Sequence, residues 1–153
     1  MVAPEILKRF PFFADMNEAE LKSLSIIAME VSFQRGDLIF EEDKPADTLY
    51  LVLDGWVDIM ISTDTRGTHR ELVTTRTSGD IFGWSAVVEP YLYTASAMCA
   101  SPVKAIGFDG SSLLALLALD TRLCCLIMTR ICQVSAERLR AARLQMVSLF
   151  MVH

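Results

Sequence analysis

Residues 80–97 read DIFGWSAVVEPYLYTASA. A tight glycine at Gly83, a short helical turn after it, a bend at Pro90 and a returning strand make the rhythm of a loop that cradles a phosphate. Yet the stretch holds no arginine or lysine, and its only acids are Asp80 and Glu89. The open question is what such a cradle holds without charged fingers.

The flanking sequence is β in character. In VSFQRGDLIFEE (31–42), Gly36 predicts a turn between short strands. In TLYLVLDGWVDIMIS (48–62), Leu49, Leu51 and Leu53 alternate, Asp54-Gly55 predicts a hairpin turn, and Val57, Ile59 and Ile61 alternate again. After the cradle, YTASAMCAS (93–101) and VKAIGF (103–108) are expected to pair with each other. Short strands with regular glycine turns point to a sandwich or barrel.

Helical patterns lie on both sides. Ile6, Leu7, Phe10, Phe12 and Phe13 form a greasy plug, and Asn17 can cap a helix that ends near Ala28, with Glu18 and Glu20 in its first turn. Asp109 or Ser111 can cap a short helix through Leu119, and Asp120 or Thr121 a long one to about Phe150. The long helix carries two apolar rows. Leu123, Ile127, Ile131 and Val134 can cover the β core. Cys125, Met128, Cys132, Ser135, Leu139, Ala142, Met146 and Leu149 keep a 3–4 spacing that suits a seam against another helix, and the reading expects a homodimer there. A broad core face on a monomer is the alternative.

Bulk properties narrow the function. A chain of 153 residues with 52% hydrophobic content suits one domain. A net charge of −5 argues against a broad nucleic-acid or anionic-membrane surface. No signal peptide and no membrane-spanning run is evident, so a cytoplasmic protein is expected. Cys125 and Cys132 sit seven residues apart, about 10 Å along a helix and too far for a disulfide. With His69 and His153 the only histidines, no metal set assembles, and the cysteines read as small hydrophobes. Nothing suggests a nucleophile–base pair, so no catalytic residue, metal or cofactor is expected. The acidic turn Glu41, Glu42 and Asp43 reads as surface, and Arg138, Arg140 and Arg143 as the solvated face of a helix.

Three segments together carry a resemblance: FQRGDLIFEEDKPADTLYLVLDGWVDI (33–59), TSGDIFGWSAVVEPYLYTASA (77–97) and LLALLALDTRLCCLIMTRICQVSAERLRAARLQ (113–145). With Gly36, Ile39, Tyr50, Val52 and Gly55 at the expected spacing, the chain resembles the cyclic-nucleotide-binding domain of the catabolite activator family and of cyclic-nucleotide-regulated kinases and channels. The resemblance covers nearly the whole chain. It implies a mainly β domain, with N-terminal helices over 1–28, a double-stranded β-helix (a jelly-roll-like β-roll) over 29–108 and C-terminal helices over 109–150. It makes Phe82, Gly83, Trp84, Ser85, Ala86, Tyr91, Leu92, Tyr93 and Thr94 the phosphate-binding cassette positions.

The cassette departs from the family where ligand chemistry lives. The family pattern is Phe-Gly-Glu, then Pro-Arg-x-Ala-Thr. In this chain Trp84 replaces the glutamate that accepts from the ribose, and Tyr91 replaces the arginine that clamps the phosphate. Asp43 also stands where the family usually has glycine. Leaving a buried phosphate unpaired costs about 3–5 kcal/mol. That loss takes a micromolar site, worth about −8 kcal/mol, toward millimolar. Amides after Gly83 with the Ser85 hydroxyl can recover part of it, and Arg70, Arg76 or Arg130 can substitute if the fold brings one near. Trp84, Tyr91 and Tyr93 either line a pocket for a flat ligand or fill the old cavity themselves. The expected function is a stand-alone regulatory or sensor domain that does not bind cyclic nucleotide in the usual way and signals through its last helix to an unknown protein partner. An unidentified small molecule is a possible ligand, and direct DNA binding is not expected because no helix-turn-helix follows the long helix. The alternative is a ligand-free interaction or scaffold module with an aromatic-filled pocket.

Overall fold

Apolar side chains pull the first residues onto the domain at once. Helix α1 (Pro4–Lys8) buries Leu7, and the 3-10 turn Pro11–Phe13 buries Phe12 and Phe13. The computed structural model describes residues 1–151; Val152 and the second histidine, His153, lie outside the described residues. Helix α2 (Glu18–Ile27) begins at a capping box: the Asn17 side chain accepts from the Glu20 N–H at 2.9 Å, and Glu20 Oε1 accepts from the Asn17 N–H at 3.1 Å. At Ala28 the backbone turns extended and strand β1 starts without a loop.

The strands are β1 (Ala28–Phe33), β2 (Leu38–Phe40), β3 (Thr48–Asp54), β4 (Val57–Ser62), β5 (Arg70–Arg76), β6 (Ile81–Phe82), β7 (Ser96–Cys99) and β8 (Val103–Asp109). They form two antiparallel sheets, ordered β1-β8-β3-β6 and β2-β7-β4-β5. Closed face to face, these make the expected β-roll. Helix α3 (Gly110–Leu119) is capped by Asp109, whose Oδ2 accepts from the Ser112 N–H at 2.9 Å. Helix α4 (Thr121–Met151) is capped by Asp120, whose Oδ1 accepts from the Leu123 N–H at 3.0 Å. Of the alternatives open in the sequence, the aspartate is the cap at both helices.

Two expectations about pairing are corrected. Asp54-Gly55 does not make a hairpin: β3 pairs with β8 and β6, while β4 pairs with β7 and β5. Residues 93–101 and 103–108 likewise do not pair, since β7 and β8 lie in opposite sheets. The reason is burial. Val52, Val57, Ala97, Cys99, Val103 and Ala105 share one core cluster inside the roll. Strands facing one another across that space bury these side chains against each other, which side-by-side strands of one hairpin cannot do.

The first sheet is covered on both faces. Leu49, Leu51, Ile106 and Phe108 point to a larger cluster built with Leu24, Leu113, Leu123 and Ile127 of the helices. Val52 and Ala105, from the same strands, point into the roll. The period-two reading of β3 named Leu49, Leu51 and Leu53, which belong to this larger cluster; Val52, fully buried on the opposite face, makes the strand two-sided.

Gly55 carries the crossing from one sheet to the other. Its φ is +98°, and a Cβ there would meet the Pro102 carbonyl oxygen at 2.2 Å, a backbone atom with little freedom to retreat. Gly55→Ala is expected to destabilise the fold by more than about 3 kcal/mol. Urea denaturation with an unshifted midpoint contradicts this account of the crossing.

Candidate functional site

The cassette loop is set by its two ends. Gly83 leads the 3-10 turn Trp84–Val87 with φ +77°, and a Cβ there would press on the Thr48 carbonyl at 3.0 Å. Ala86 is buried under α3, where Gly110 lies so close that a Cβ would meet the Ala86 carbonyl at 2.9 Å. On the far side Tyr91 takes φ +59°, and its carbonyl accepts from the Ala46 N–H at 2.8 Å. The Asp43 backbone, at the position where the family usually has glycine, is also left-handed at φ +66°.

Beneath the turn lies a hollow of only about 50 Å³. Phe82, Gly83, Trp84, Ser85, Tyr93 and Thr94 line it, so six of the nine cassette positions converge there. Ala86 does not line it, and Tyr91 and Leu92 lie on the outside, 36% and 40% exposed. Leu92 forms an isolated antiparallel bridge with Pro45, and at Tyr93 the side chain turns inward and is buried.

Tyr93 occupies the space. Its ring stacks on Phe40 with centroids 3.7 Å apart and planes 6° from parallel. Phe40, Tyr50 and Phe82 continue the layer, with Tyr50 and Phe82 5.1 Å apart. The Tyr93 hydroxyl donates to the Thr48 carbonyl at 2.9 Å and accepts from the Thr48 N–H at 3.1 Å. Burial pushes its phenol up to about 12. The other arm of the loop is tied by Ser96, whose Oγ accepts from the Glu42 N–H at 2.9 Å, while Glu42 Oε2 accepts from the Ser62 N–H at 3.2 Å. Glu42 of the acidic turn is therefore a structural tie.

One arginine reaches the hollow, and it comes from the long helix. Arg138 lines the space, and its guanidinium lies over the Trp84 ring at 4.1 Å, while Nη2 donates to the Ile81 carbonyl at 2.6 Å. This corrects its reading as solvated surface: Arg138 is half-buried, whereas Arg140 and Arg143 are exposed. Burial first, and the charge of Arg76 second, lower its pKa to about 9, so it stays cationic at neutral pH. Of the substitutes considered, Arg70 pairs with Glu41 at 3.6 Å, Arg130 with Asp15, and Arg76 donates to the Thr74 hydroxyl; none of the three lines the hollow. The turn after Gly83 is four residues of 3-10 helix whose N-terminus has no side-chain cap. Heptad spacing gave Arg138 no distinction from its neighbours; an aromatic at the cassette's glutamate position was the available signal that a cation would be wanted nearby.

Along α4, Leu123, Ile127 and Ile131 are buried and Val134 is half-buried. Of the second row, Met128 and Ser135 are half-buried, and Cys125, Cys132, Leu139, Ala142, Met146 and Leu149 are exposed. All four cysteines are free thiols, and burial raises Cys99 to about 11.

Fold and loop together define a β-roll domain with a cassette facing its last helix. The sequence profile of the cyclic nucleotide-binding domain matches residues 30–120, and the chain belongs to that family. A protein of Geobacter metallireducens GS-15 assigned as cyclic nucleotide-binding has a solved structure with TM-score 0.81 and 32% identity, covering 91% of this chain and 99% of that one. A cyclic nucleotide-binding domain from Methylobacillus flagellatus KT has TM-score 0.78 at 22% identity, covering 94% and 80%. The CRP-like cAMP-activated global transcriptional regulator of Mycobacterium tuberculosis is 28% identical over 109 residues, 71% of this chain. That match spans 48% of the regulator's length. Among the described residues no helix is long and apolar enough to cross a membrane.

Tyr93→Phe leaves the Thr48 N–H without its acceptor and is expected to cost about 1–3 kcal/mol, read by chemical denaturation at pH 7. A phenol raised in the folded state lends stability that is whole below pH 10.0 and is lost as pH climbs toward about 12. The phenylalanine variant should lack that part of the alkaline loss; an identical alkaline profile removes Tyr93 from this role.

Proposed function

We propose that this chain is a regulatory domain whose cassette takes no cyclic nucleotide in the family's manner and instead holds the position of its last helix. The observation that carries the reading is the Tyr93 ring, stacked on Phe40 and leaving about 50 Å³. Small-molecule pockets usually offer about 300–1,000 Å³. The hydroxyl is already satisfied by Thr48, so displacing the ring breaks two hydrogen bonds and a stack before any ligand contact forms. Trp84 and Tyr91, at the positions for ribose and phosphate recognition, bring no charge to replace that loss, and the guanidinium that does line the hollow, Arg138, is engaged with the Trp84 ring and the Ile81 carbonyl.

The output in this reading is α4. Arg138 sits on the cassette's Trp84, so a movement of the turn and a movement of the helix are one event. The exposed side chains Leu139, Met146 and Leu149 (52%, 58% and 70%) then suit a seam with a second copy, and the partner protein reads the helix pair. No enzymatic step, resident cofactor or direct DNA contact is assigned. The second reading, a ligand-free scaffold, shares the filled pocket and differs in that no occupant anywhere moves α4.

Calorimetric titration with cAMP and cGMP tests the cassette. No saturable heat is expected up to about 1 mM nucleotide, and submicromolar, salt-sensitive binding refutes the proposal. For the helix seam, Leu139→Lys is expected to shift sedimentation from dimer to monomer. Wild type and variant sedimenting alike at every concentration would remove the seam.

A further inference from the structure

Beside the cassette, a second and larger space of about 510 Å³ opens between α4 and the loop leading into β6. Arg138 and Arg130 reach it from the helix, and Arg76 from the end of β5. Arg130 is already paired with Asp15. Arg76 and Arg138 are not: among the described residues neither forms a salt bridge. Each spends only Nη2, Arg76 on the Thr74 hydroxyl at 2.9 Å and Arg138 on the Ile81 carbonyl. Their Nε atoms are buried without partners, and Nη1 of each makes no hydrogen bond among the described residues.

Two acids in the cleft offset part of this charge without pairing with it: Asp80 acts on both arginines and Glu137 on Arg138. Asp80 accepts from the Thr77 N–H at 2.9 Å within its own turn, and Glu137 forms no salt bridge. Two desolvated guanidiniums share one cleft, and each is held below the ordinary arginine pKa, Arg76 by burial and Arg138 by burial and by Arg76. An oxyanion at the free Nη1 edges relieves the repulsion and gains charge-assisted hydrogen bonds, while the buried Nε atoms take no part. Asp80 and Glu137 in the lining disfavour a dianion, and Phe12, Ile81 and Val134 make part of the wall apolar. The volume falls in the usual range for a small organic molecule.

We propose that this cleft binds a small organic monocarboxylate, its oxygens bridging the Nη1 edges of Arg76 and Arg138 and its apolar body lying toward Phe12 and Val134. Such a ligand joins the β-roll to α4 and bears on the same Arg138 that clasps Trp84. Its cleft shares Arg138 with the cassette hollow and none of the hollow's other lining, and carboxylate binding is measured without cyclic nucleotide, so the two readings are tested separately.

The probes are octanoate and benzoate at up to about 5 mM, with 1-octanol and inorganic phosphate as controls, followed by thermal shift and calorimetry. Saturable stabilisation by a carboxylate, and little by octanol or phosphate, is expected. Affinity should fall at least about tenfold in Arg76→Gln, and again in Arg138→Gln. Absence of saturable binding by both carboxylates overturns the proposal, as does equal stabilisation by octanol, preference for phosphate, or unchanged affinity in Arg76→Gln. Should Arg138→Gln fail to fold, Arg76→Gln alone decides, since Arg76 lies outside the Trp84 clasp. Binding of cAMP that leaves octanoate affinity unchanged would defeat the cassette reading and leave this one standing.

Discussion

The cassette depends on a tyrosine hydroxyl that closes a ring of hydrogen bonds with one residue. Tyr93 both donates to and accepts from the Thr48 backbone, the first residue of β3. A phenol so placed is fully satisfied without water, and its ring is free to stack flat against Phe40. From that contact follow the small hollow, the re-entry of the loop after Tyr91 and the position of the turn at Trp84. Tyr93 thereby ties the cassette loop to the start of β3.

A cation also lies over Trp84. The ring presents a face of negative potential to a space lined by apolar groups, and a guanidinium stacked there is worth about 0.5–2 kcal/mol. Arg138 supplies it, and because Arg138 belongs to α4 the contact also fixes the helix. The cost is a buried Nε without a partner and a lowered pKa. Arginine suits this task better than lysine, because its plane stacks while its edge still donates to Ile81.

Much of the architecture was legible in the sequence because it rests on local chemistry. Asn17 and Glu20 at capping spacing, aspartates ahead of two helices, and the Leu123, Ile127 and Ile131 row each act within a few residues. The cassette positions were legible through the resemblance, and six of nine meet at one hollow. What failed was long-range. Asp54-Gly55 has the composition of a hairpin turn, but composition cannot say whether two apolar strands lie edge to edge or face to face; Val52 and Val57 sharing an interior settles it. Arg138 was lost among Arg140 and Arg143 for the same reason, because what separates it from them is a tryptophan more than fifty positions upstream in the chain.

The double burial of the first sheet has a mechanical meaning. Along β3, Leu51 belongs to the compartment under the helices and Val52 to the compartment inside the roll, so a wall one peptide thick divides them. Interiors at crystal-like density transmit volume changes rather than absorbing them. A methyl group added or removed behind Tyr50 is therefore felt on the helical side within two residues, with no intervening hinge. The two chambers thus share one wall, and β3 supplies side chains to both.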